Sequence, residues 1–466
     1  MLTSSHLLKC AALAAALMGS SAPAVAGNGP SIPLQTTIIA SEGYTYGFPI
    51  MLMDATRNAA TEVPYVCGLG GPVNTITHML EKPTADFRAV VRPNVDTLYS
   101  SAFLDLSEGP MVLEVPAVQD RFYLLALLDA WTNNFAGTGT QTNRGEARTY
   151  LITGPGWSGA LPPDAEQISA PTNLVWIIGR TELKNDADIS AANAVQKAIK
   201  LFPLSGPVPV RSKEPCQPAA DKMPPEDIVR NMNGVDFFAR LDTLIKAYPP
   251  ATDDSEKLKK LGKINVGPFA NGSVADLSAA NKDALSVGMA RGQKSMDFAF
   301  ALGSHGDWLP NPTKIPLGNY DKDYLVRGIV SQIGFGANRN DFAVYQNAVK
   351  TRTGKPLDGA KGVYRLTFKK GELPPVKAFW SVTVYNEEGF LIENAPNRSA
   401  LGSNSNLVAN KDGDIVITFA VRKPEDVPAS NWLPTPDGPF EVTLRMYWPE
   451  KAILEGDWKT PSIELS

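Results

Sequence analysis

Two short stretches in the N-terminal third carry the groups needed for acid–base chemistry. Arg92-Pro-Asn-Val-Asp-Thr-Leu-Tyr99 supplies Arg92, Asn94, Asp96 and Tyr99, and Asp129-Ala-Trp-Thr-Asn-Asn134 supplies Asp129, Trp131 and Asn133. Both fall where a strand is expected to begin or end, so their side chains can converge at the mouth of a β-sandwich. Asp129, Trp131 and Asn133 have one parity on an extended segment and can face one side together. Asp96 and Asp129 would then serve as general acid and base, provided the site raises one pKa. Arg92, Asn94, Tyr99, Trp131 and Asn133 would bind the substrate, with the Trp131 indole as a surface for a sugar ring. A structural reading competes with this one. Asp96 and Asn94 are also the residues that close turns, and Asp129 can satisfy buried backbone amides.

Three arginines belong to the same question. Arg92, Arg121 and Arg180 stand at expected strand ends, where a guanidinium either clamps a carboxylate of a ligand or pairs with a local Asp. Histidine limits the remaining chemistry. The chain has three histidines, and beyond His6 only His78 and His305 remain, in no i, i+4 pair and beside no cysteine pattern. A His-rich zinc site is therefore not expected, and the metal prediction is none. His305, in Ser304-His-Gly-Asp-Trp308, is either an acid/base partner of Asp307 or a surface-loop residue. Asp/Asn-rich loops leave an oxygen-ligand calcium site open, without an EF-hand loop to support it, and no cofactor is expected. Gly303-Ser-His-Gly306 is one residue too short for a nucleophile elbow. Cys67-Gly-Leu-Gly-Gly-Pro72 lacks the Lys-Ser/Thr ending of a phosphate loop and reads as a plain turn.

The elements that position these groups are mostly strands. Tyr99–Leu106, Met111–Val115, Arg121–Trp131, Thr149–Thr153 and Leu174–Arg180 read as β, with Arg121–Trp131 apolar on both faces and so central in its sheet. A helix over Ile38 to about Asn58 precedes them. Between about Glu182 and Leu302 the period becomes helical. Ile228, Met232, Val235, Phe238, Leu241 and Ile245 mark one helix stopped at Pro249-Pro250. Val195, Ile199 and Phe202 suggest a shorter one, and Ser273–Phe300 another. A proline-rich connector runs from Pro203 to Pro225. Tyr324 to about Thr351 holds one more helical pattern, with Ile329, Ile333, Val344 and Ala348 inward. Strands return at Val363–Phe368, Ala378–Tyr385, Asp414–Val421 and Phe440–Trp448. In the last, Phe440, Val442, Leu444, Met446 and Trp448 share one face while Glu441, Thr443, Arg445 and Tyr447 share the other.

The fold expected is mainly β with a helical insert (α+β), in two jelly-roll or β-sandwich-like domains. The domains are a leader at 1–26, an N-terminal β domain at 36–181, a helical and proline-rich region at 182–302 and a C-terminal β-sandwich at 303–466. The leader follows from a basic start ending at Lys9, an apolar run from Cys10 to Met18 and an Ala24-Val-Ala26 cleavage pattern. It predicts an exported protein, periplasmic or secreted, and no later stretch predicts membrane insertion. Without the leader two cysteines remain, Cys67 and Cys216. In an oxidising compartment they can form one disulfide, whose long loop would contribute about 4–5 kcal/mol in the chain-entropy description. They can equally be two unrelated thiols. With 44 Lys+Arg against 48 Asp+Glu and no dense basic block, nucleic acid is not an expected partner.

With the strands placed, the chain resembles a pairing of two bacterial families, the domain of unknown function 1254 followed by the domain of unknown function 1214. The first likeness rests on Tyr46-Gly-Phe-Pro49, on the Arg92–Tyr99 and Asp129–Asn134 stretches, and on Pro171-Thr-Asn-Leu-Val-Trp-Ile-Ile-Gly-Arg180. The second rests on Lys355-Pro-Leu-Asp-Gly359, Pro374-Pro-Val-Lys-Ala-Phe-Trp-Ser-Val-Thr-Val-Tyr385 and the Asn431–Pro449 segment. The resemblance implies two jelly-roll-like domains, loosely similar in fold to viral coat proteins and a glycan-cleaving amidase, and it implies no activity. Thr351-Arg-Thr-Gly354 stands where relatives often carry acidic residues, which puts a metal site at that turn in doubt. Two kinds of function therefore remain open. One is a hydrolase or lyase acting on a carbohydrate-like or other small polar substrate, such as a glycan. The other is a non-catalytic ligand-binding or structural/assembly β-sandwich. Oligomeric state is not readable from the residues.

Overall fold

The computed structural model describes residues 32–62, 68–87, 92–206, 223–250, 252–303, 307–309 and 315–466. The leader pattern, Cys67, Cys216 and His305 lie outside them. The N-terminal β unit is built from two sheets. Strands β1 (Thr77–His78), β2 (Thr97–Asp105), β3 (Met111–Val115), β4 (Tyr123–Asp129), β5 (Asn134–Gly139), β6 (Arg148–Thr153), β7 (Ala165–Ser169), β8 (Leu174–Glu182) and β9 (Lys200–Pro203) divide between them. One sheet has the order β1-β2-β8-β4-β5 and the other β7-β6-β3-β9. Leu104, Leu113, Leu125, Leu127 and Ile177 fill the space between them.

The expectation that Arg121–Trp131 is covered on both faces holds for β4, in which all seven residues are buried. Its alternate residues Leu124, Ala126 and Leu128 face a second core, made largely of helices. That layer is centred on α1 (Leu34–Thr61), longer at both ends than the periodicity indicates and continuous through Pro49. α2 (Ile189–Ala198) stays with the β unit, and Phe202 belongs to β9 rather than to this helix. α3 (Pro225–Arg230) and α4 (Gly234–Ala247) replace the single helix expected over Ile228–Ile245. The break occurs because the Asn233 side chain accepts from the Asp236 amide and starts a new helix. α5 (Ser255–Gly262) and α6 (Ala279–Gly303) complete the layer. α6 lies so close to α1 that a Cβ on Gly288 would come within 2.5 Å of the Thr37 carbonyl oxygen.

The helix expected over Tyr324–Thr351 is corrected in its second half. α7 spans Tyr324–Ile333, and Val344 and Ala348 fall in strand β10 (Ala343–Ala348). Helical and strand spacing both place 344 and 348 on one side, so parity alone does not separate them. The C-terminal unit again has two sheets. Its remaining strands are β11 (Tyr364–Phe368), β12 (Trp380–Asn386), β13 (Ala400–Gly402), β14 (Ile415–Ala420), β15 (Trp432–Pro434), β16 (Phe440–Tyr447) and β17 (Ile463–Leu465). The orders are β10-β16-β12-β13 and β15-β14-β11-β17. Val382, Val384, Val442, Leu444 and Met446 of the first sheet meet Leu366, Phe368, Ile417 and Phe419 of the second.

The alternation read in β16 holds from Phe440 to Tyr447, whereas Trp448, expected on the same face as Phe440, follows the strand at φ +53° and packs against the helical core. Phe440, Val442, Leu444 and Met446 enter the sandwich core, but Glu441, Thr443, Arg445 and Tyr447 are buried too. Their face packs against the N-terminal unit instead of water. Replacing Leu444 with Ala leaves a cavity among close-packed aliphatic neighbours and should cost about 2–5 kcal/mol in urea unfolding. A loss below about 1 kcal/mol would mean that the sandwich interior is not packed as described.

Candidate functional site

The candidate residues are divided between two ends of one sheet. In the ladder between β8 and its neighbours, Thr97 stands opposite Glu182 and Asp129 opposite Val175. Seven residue steps along β8 separate these positions, roughly 20–25 Å at strand spacing. Asp96 and Asp129 therefore do not form an acid–base pair.

Asp129 serves its own turn. Its Oδ1 accepts from the Trp131 and Asn133 amides, each at 2.9 Å, and its Oδ2 from Asn133 Nδ2 at 3.0 Å. Burial pushes its carboxyl above the ordinary range, against the pull of the Asn133 hydrogen bonds and of Arg327. Trp131 is 2 % exposed and donates its indole N–H to the Tyr248 carbonyl, so it offers no face to a sugar. Asn133 belongs to the same turn. The structural reading accounts for all three.

The other group lands at the junction of the two β units. The polar face of β12 and β16 lies beneath the Arg92–Asp96 segment, with Ser381 opposite Arg445, Thr383 opposite Thr443 and Tyr385 opposite Glu441. Arg445 Nη2 donates to the Arg92 carbonyl at 2.9 Å and to the Tyr385 hydroxyl at 2.7 Å, while Nη1 donates to Thr383 Oγ1 at 2.8 Å. The Tyr385 hydroxyl donates to the Pro93 carbonyl at 2.8 Å. Asn94, 1 % exposed, donates to the Tyr447 hydroxyl at 2.5 Å and to Thr97 Oγ1 at 2.9 Å, and its Oδ1 accepts from the Asp96 amide. These contacts hold Arg92 in the left-handed region at φ +53°, where a residue with a Cβ is strained. The C-terminal sheet thus sets the conformation of the N-terminal segment.

Within this clamp Asp96 is half-buried, and one carboxylate oxygen accepts from Ser381 Oγ at 2.6 Å. Burial raises its pKa, opposed by that hydroxyl and by the charge of Arg445. Arg92 pairs with Glu441 at 2.7 Å, and burial raises the Glu441 carboxyl in turn. Tyr385 is pushed up to about 12 by burial. Tyr447 is raised by burial and by Tyr345 beside it. On the N-terminal side, the Arg180 guanidinium lies 5.5 Å from the centre of the Tyr99 ring and donates to Asn338 Oδ1 and the Gly336 carbonyl. Asn338 in turn donates to the Tyr345 hydroxyl at 2.7 Å. Gly336 has φ +77°, and a Cβ there would lie 2.9 Å from the Trp176 ring, so glycine is required where this carbonyl turns towards Arg180. Asp96, Tyr99, Tyr345 and Arg92 keep partial exposure, and Asn94, Arg180, Tyr385, Arg445 and Tyr447 are buried.

Of the predicted site residues, Arg92, Asn94, Asp96 and Tyr99 are brought together, and Asp129, Trp131 and Asn133 are not. Sequence reasoning missed Arg445, Tyr385, Tyr447, Glu441, Ser381 and Asn338. The usable signal was composition. A face carrying Arg and Tyr is typical of a covered interface, whereas Lys marks solvated strands. A separate cleft of about 380 Å³ is lined by Asn185, Arg398, Asn404, Asn406 and Ser430, with no aromatic side chain for stacking. Among the described residues there is no cluster of three or more His, Cys, Asp or Glu suited to a metal ion, and no helix long and apolar enough to cross a membrane.

Comparison with known families agrees with the motifs. Two parts of the chain match family models, Protein of unknown function (DUF1254) over residues 73–203 and Protein of unknown function (DUF1214) over residues 342–451. No curated protein matches it. A crystal structure of a protein from Vibrio parahaemolyticus is similar in fold, with a TM-score of 0.70 at 22% identity over 92% of this chain and 100% of that one. An uncharacterised protein of Burkholderia cenocepacia aligns over 99% of this chain and 97% of its own at 11% identity, with a TM-score of 0.44 that supports no further comparison. The Vibrio parahaemolyticus structure brings a shared fold and no activity.

The raised pKa of Asp96 has a thermodynamic sign. A carboxyl with a higher pKa folded than unfolded binds more protons in the native state, so its contribution is favourable at low pH and is lost as pH rises through the folded pKa. Asp96→Asn removes that dependence. The stability of the wild type relative to Asp96→Asn should fall as pH rises above the ordinary carboxylate range in urea titrations. A difference that is flat, or that grows with pH, would contradict this environment.

Proposed function

We propose that the junction between the two β units binds a small polar molecule beside Asp96 and that Asp96 exchanges a proton with it, in lyase-like chemistry. The observation that carries this reading is the placement of Asp96. It is a half-buried carboxyl that accepts from Ser381 across the junction, with burial raising its pKa and the charge of Arg445 opposing that rise. A carboxylate whose pKa is raised is a stronger base than an ordinary one. It would take a proton from a C–H or O–H of the ligand, leaving the electron pair on the ligand and becoming a neutral acid. Tyrosine hydroxyls and the guanidiniums behind it would meet the negative charge that develops. Hydrolysis by two acids is less well supported, because the second carboxyl, Asp129, lies at the far end of the sheet. The leader pattern of residues 1–26 supports placing this activity outside the cytoplasm.

The test does not require the product to be known. Wild type and Asp96→Asn are incubated in D2O with pools of small sugars, hydroxy acids and keto acids, and ligand protons are followed by NMR. Base catalysis by Asp96 should exchange a carbon-bound proton in at least one pool member, with the variant slower by about 100-fold or more. Equal exchange rates in the two proteins, or no exchange in any pool, would contradict the role.

A further inference from the structure

The segment after β8 and the loops beside β13 and β15 border the separate cleft of about 380 Å³, a volume within the range of small-molecule sites, roughly 300–1,000 Å³. Asn185 enters it from the N-terminal unit, and Arg398, Asn404, Ser405, Asn406 and Ser430 from the C-terminal one. Its walls are tied to each other. Asn404 Nδ2 donates across the junction to the buried Glu182 Oε1 at 2.8 Å. The buried Asn431 side chain accepts from the Val408 amide and donates to the Val408 carbonyl, at 2.9 Å each. That exchange holds the loop after β13 against the segment carrying Ser430.

Arg398, half-buried, is the one charged residue lining this cleft. Its Nη1 donates to the Ala429 carbonyl and, at 3.1 Å, to the Trp432 carbonyl, which fixes the guanidinium plane. Its Nε and Nη2 have no hydrogen-bond or ion-pair partner among the described residues. The acids of the neighbouring segment are engaged elsewhere. Glu182 accepts from Asn404 and from the Phe122 amide at 2.8 Å, Asp186 pairs with Lys82, and Asp188 pairs with Arg121 at 2.7 and 3.0 Å. Glu182 and Arg398 carry opposite charges at this junction, so the open guanidinium edge, and not a surplus of positive charge, is what selects a ligand. Nε and Nη2 present two parallel N–H groups, the geometry that takes a carboxylate in bidentate fashion. Beside them, the Asn406 side chain, Asn404 Oδ1 and Asn185 Nδ2 make no hydrogen bond among the described residues. Amides offer both donors and acceptors, as hydroxyl groups do, so the two match.

We infer that this cleft binds a hydroxylated carboxylate, a sugar acid, with its carboxylate on the Nε/Nη2 edge of Arg398 and its hydroxyls on Asn185, Asn404 and Asn406. Asp96 does not line the cleft, so binding here is independent of the role given to that residue. A ligand in this place touches both β units and stabilises the folded chain by mass action. Neutral sugars lack the group that answers Arg398, and simple carboxylates lack the hydroxyls that answer the amides. Each should bind more weakly.

Gluconate and galacturonate are each titrated by calorimetry into wild type, Arg398→Met, Arg398→Lys and Asn406→Ala, with glucose and acetate as controls. At least one sugar acid should bind the wild type saturably and raise its Tm. Arg398→Met should weaken that binding by roughly tenfold or more, as loss of a charged hydrogen-bonding pair does. Arg398→Lys keeps the charge without the planar fork and should fall between the two. Asn406→Ala should weaken it by about two- to tenfold, the effect of one neutral hydrogen bond. Unchanged affinity in Arg398→Met and Arg398→Lys overturns the anchor, and Arg398→Lys alone decides if the Met variant does not fold. Absence of saturable binding of either sugar acid by the wild type overturns the site. Glucose or acetate binding as tightly as the sugar acids overturns the ligand class.

Discussion

A guanidinium buried between two β units must be met by oxygen atoms, and Arg445 meets this requirement with the backbone of the opposite unit. Its hydrogen bonds reach Thr383 and Tyr385 on its own sheet and the Arg92 carbonyl across the junction. That last contact ties the position of a C-terminal strand to the conformation of an N-terminal segment. Tyr385 to Pro93 and Asn94 to Tyr447 repeat the link on either side. Buried polar groups cost stability when unpaired, so these contacts have to form together or not at all. The strained backbone at Arg92, the aim of Asp96 and the enclosure of Tyr447 all follow from this one requirement.

The fold was legible where a single rule decided. β16 alternates strictly, β4 is apolar on both faces, and Met111–Val115 is bounded by turn residues, so each appears close to where the residues place it. It was less legible where two rules agree on parity. Residues 344 and 348 fit a helix and a strand equally, and the register of β10 with β16 decides between them. The break at Asn231–Asn233 was hidden because the apolar spacing continues through it while the cap interrupts the backbone.

The site was half legible, for a physical reason. Local sequence shows which residues can do chemistry, and Arg92, Asn94, Asp96 and Tyr99 do come together. It does not show what lies opposite them, 285 to 353 residues away along the chain. Asp129 carries the same functional groups as Asp96 but is consumed by three donors of its own turn, whereas Asp96 has one hydroxyl donor from the other unit. The same contrast sorts the arginines. Arg121 finds its acid nearby, and Arg180 is surrounded by phenols and amides.

The central claim is that the two β units are energetically coupled through the polar junction, and a double-mutant cycle tests it directly. Asn94→Ala and Tyr447→Phe each remove one side of the 2.5 Å hydrogen bond between the units. Unfolding free energies of the two single variants and the double variant should show a coupling of about 1 kcal/mol or more, as expected for groups in one buried network. Single effects that simply add, to within about 0.3 kcal/mol, would mean that Asn94 and Tyr447 act independently and that the junction is not the cooperative unit described.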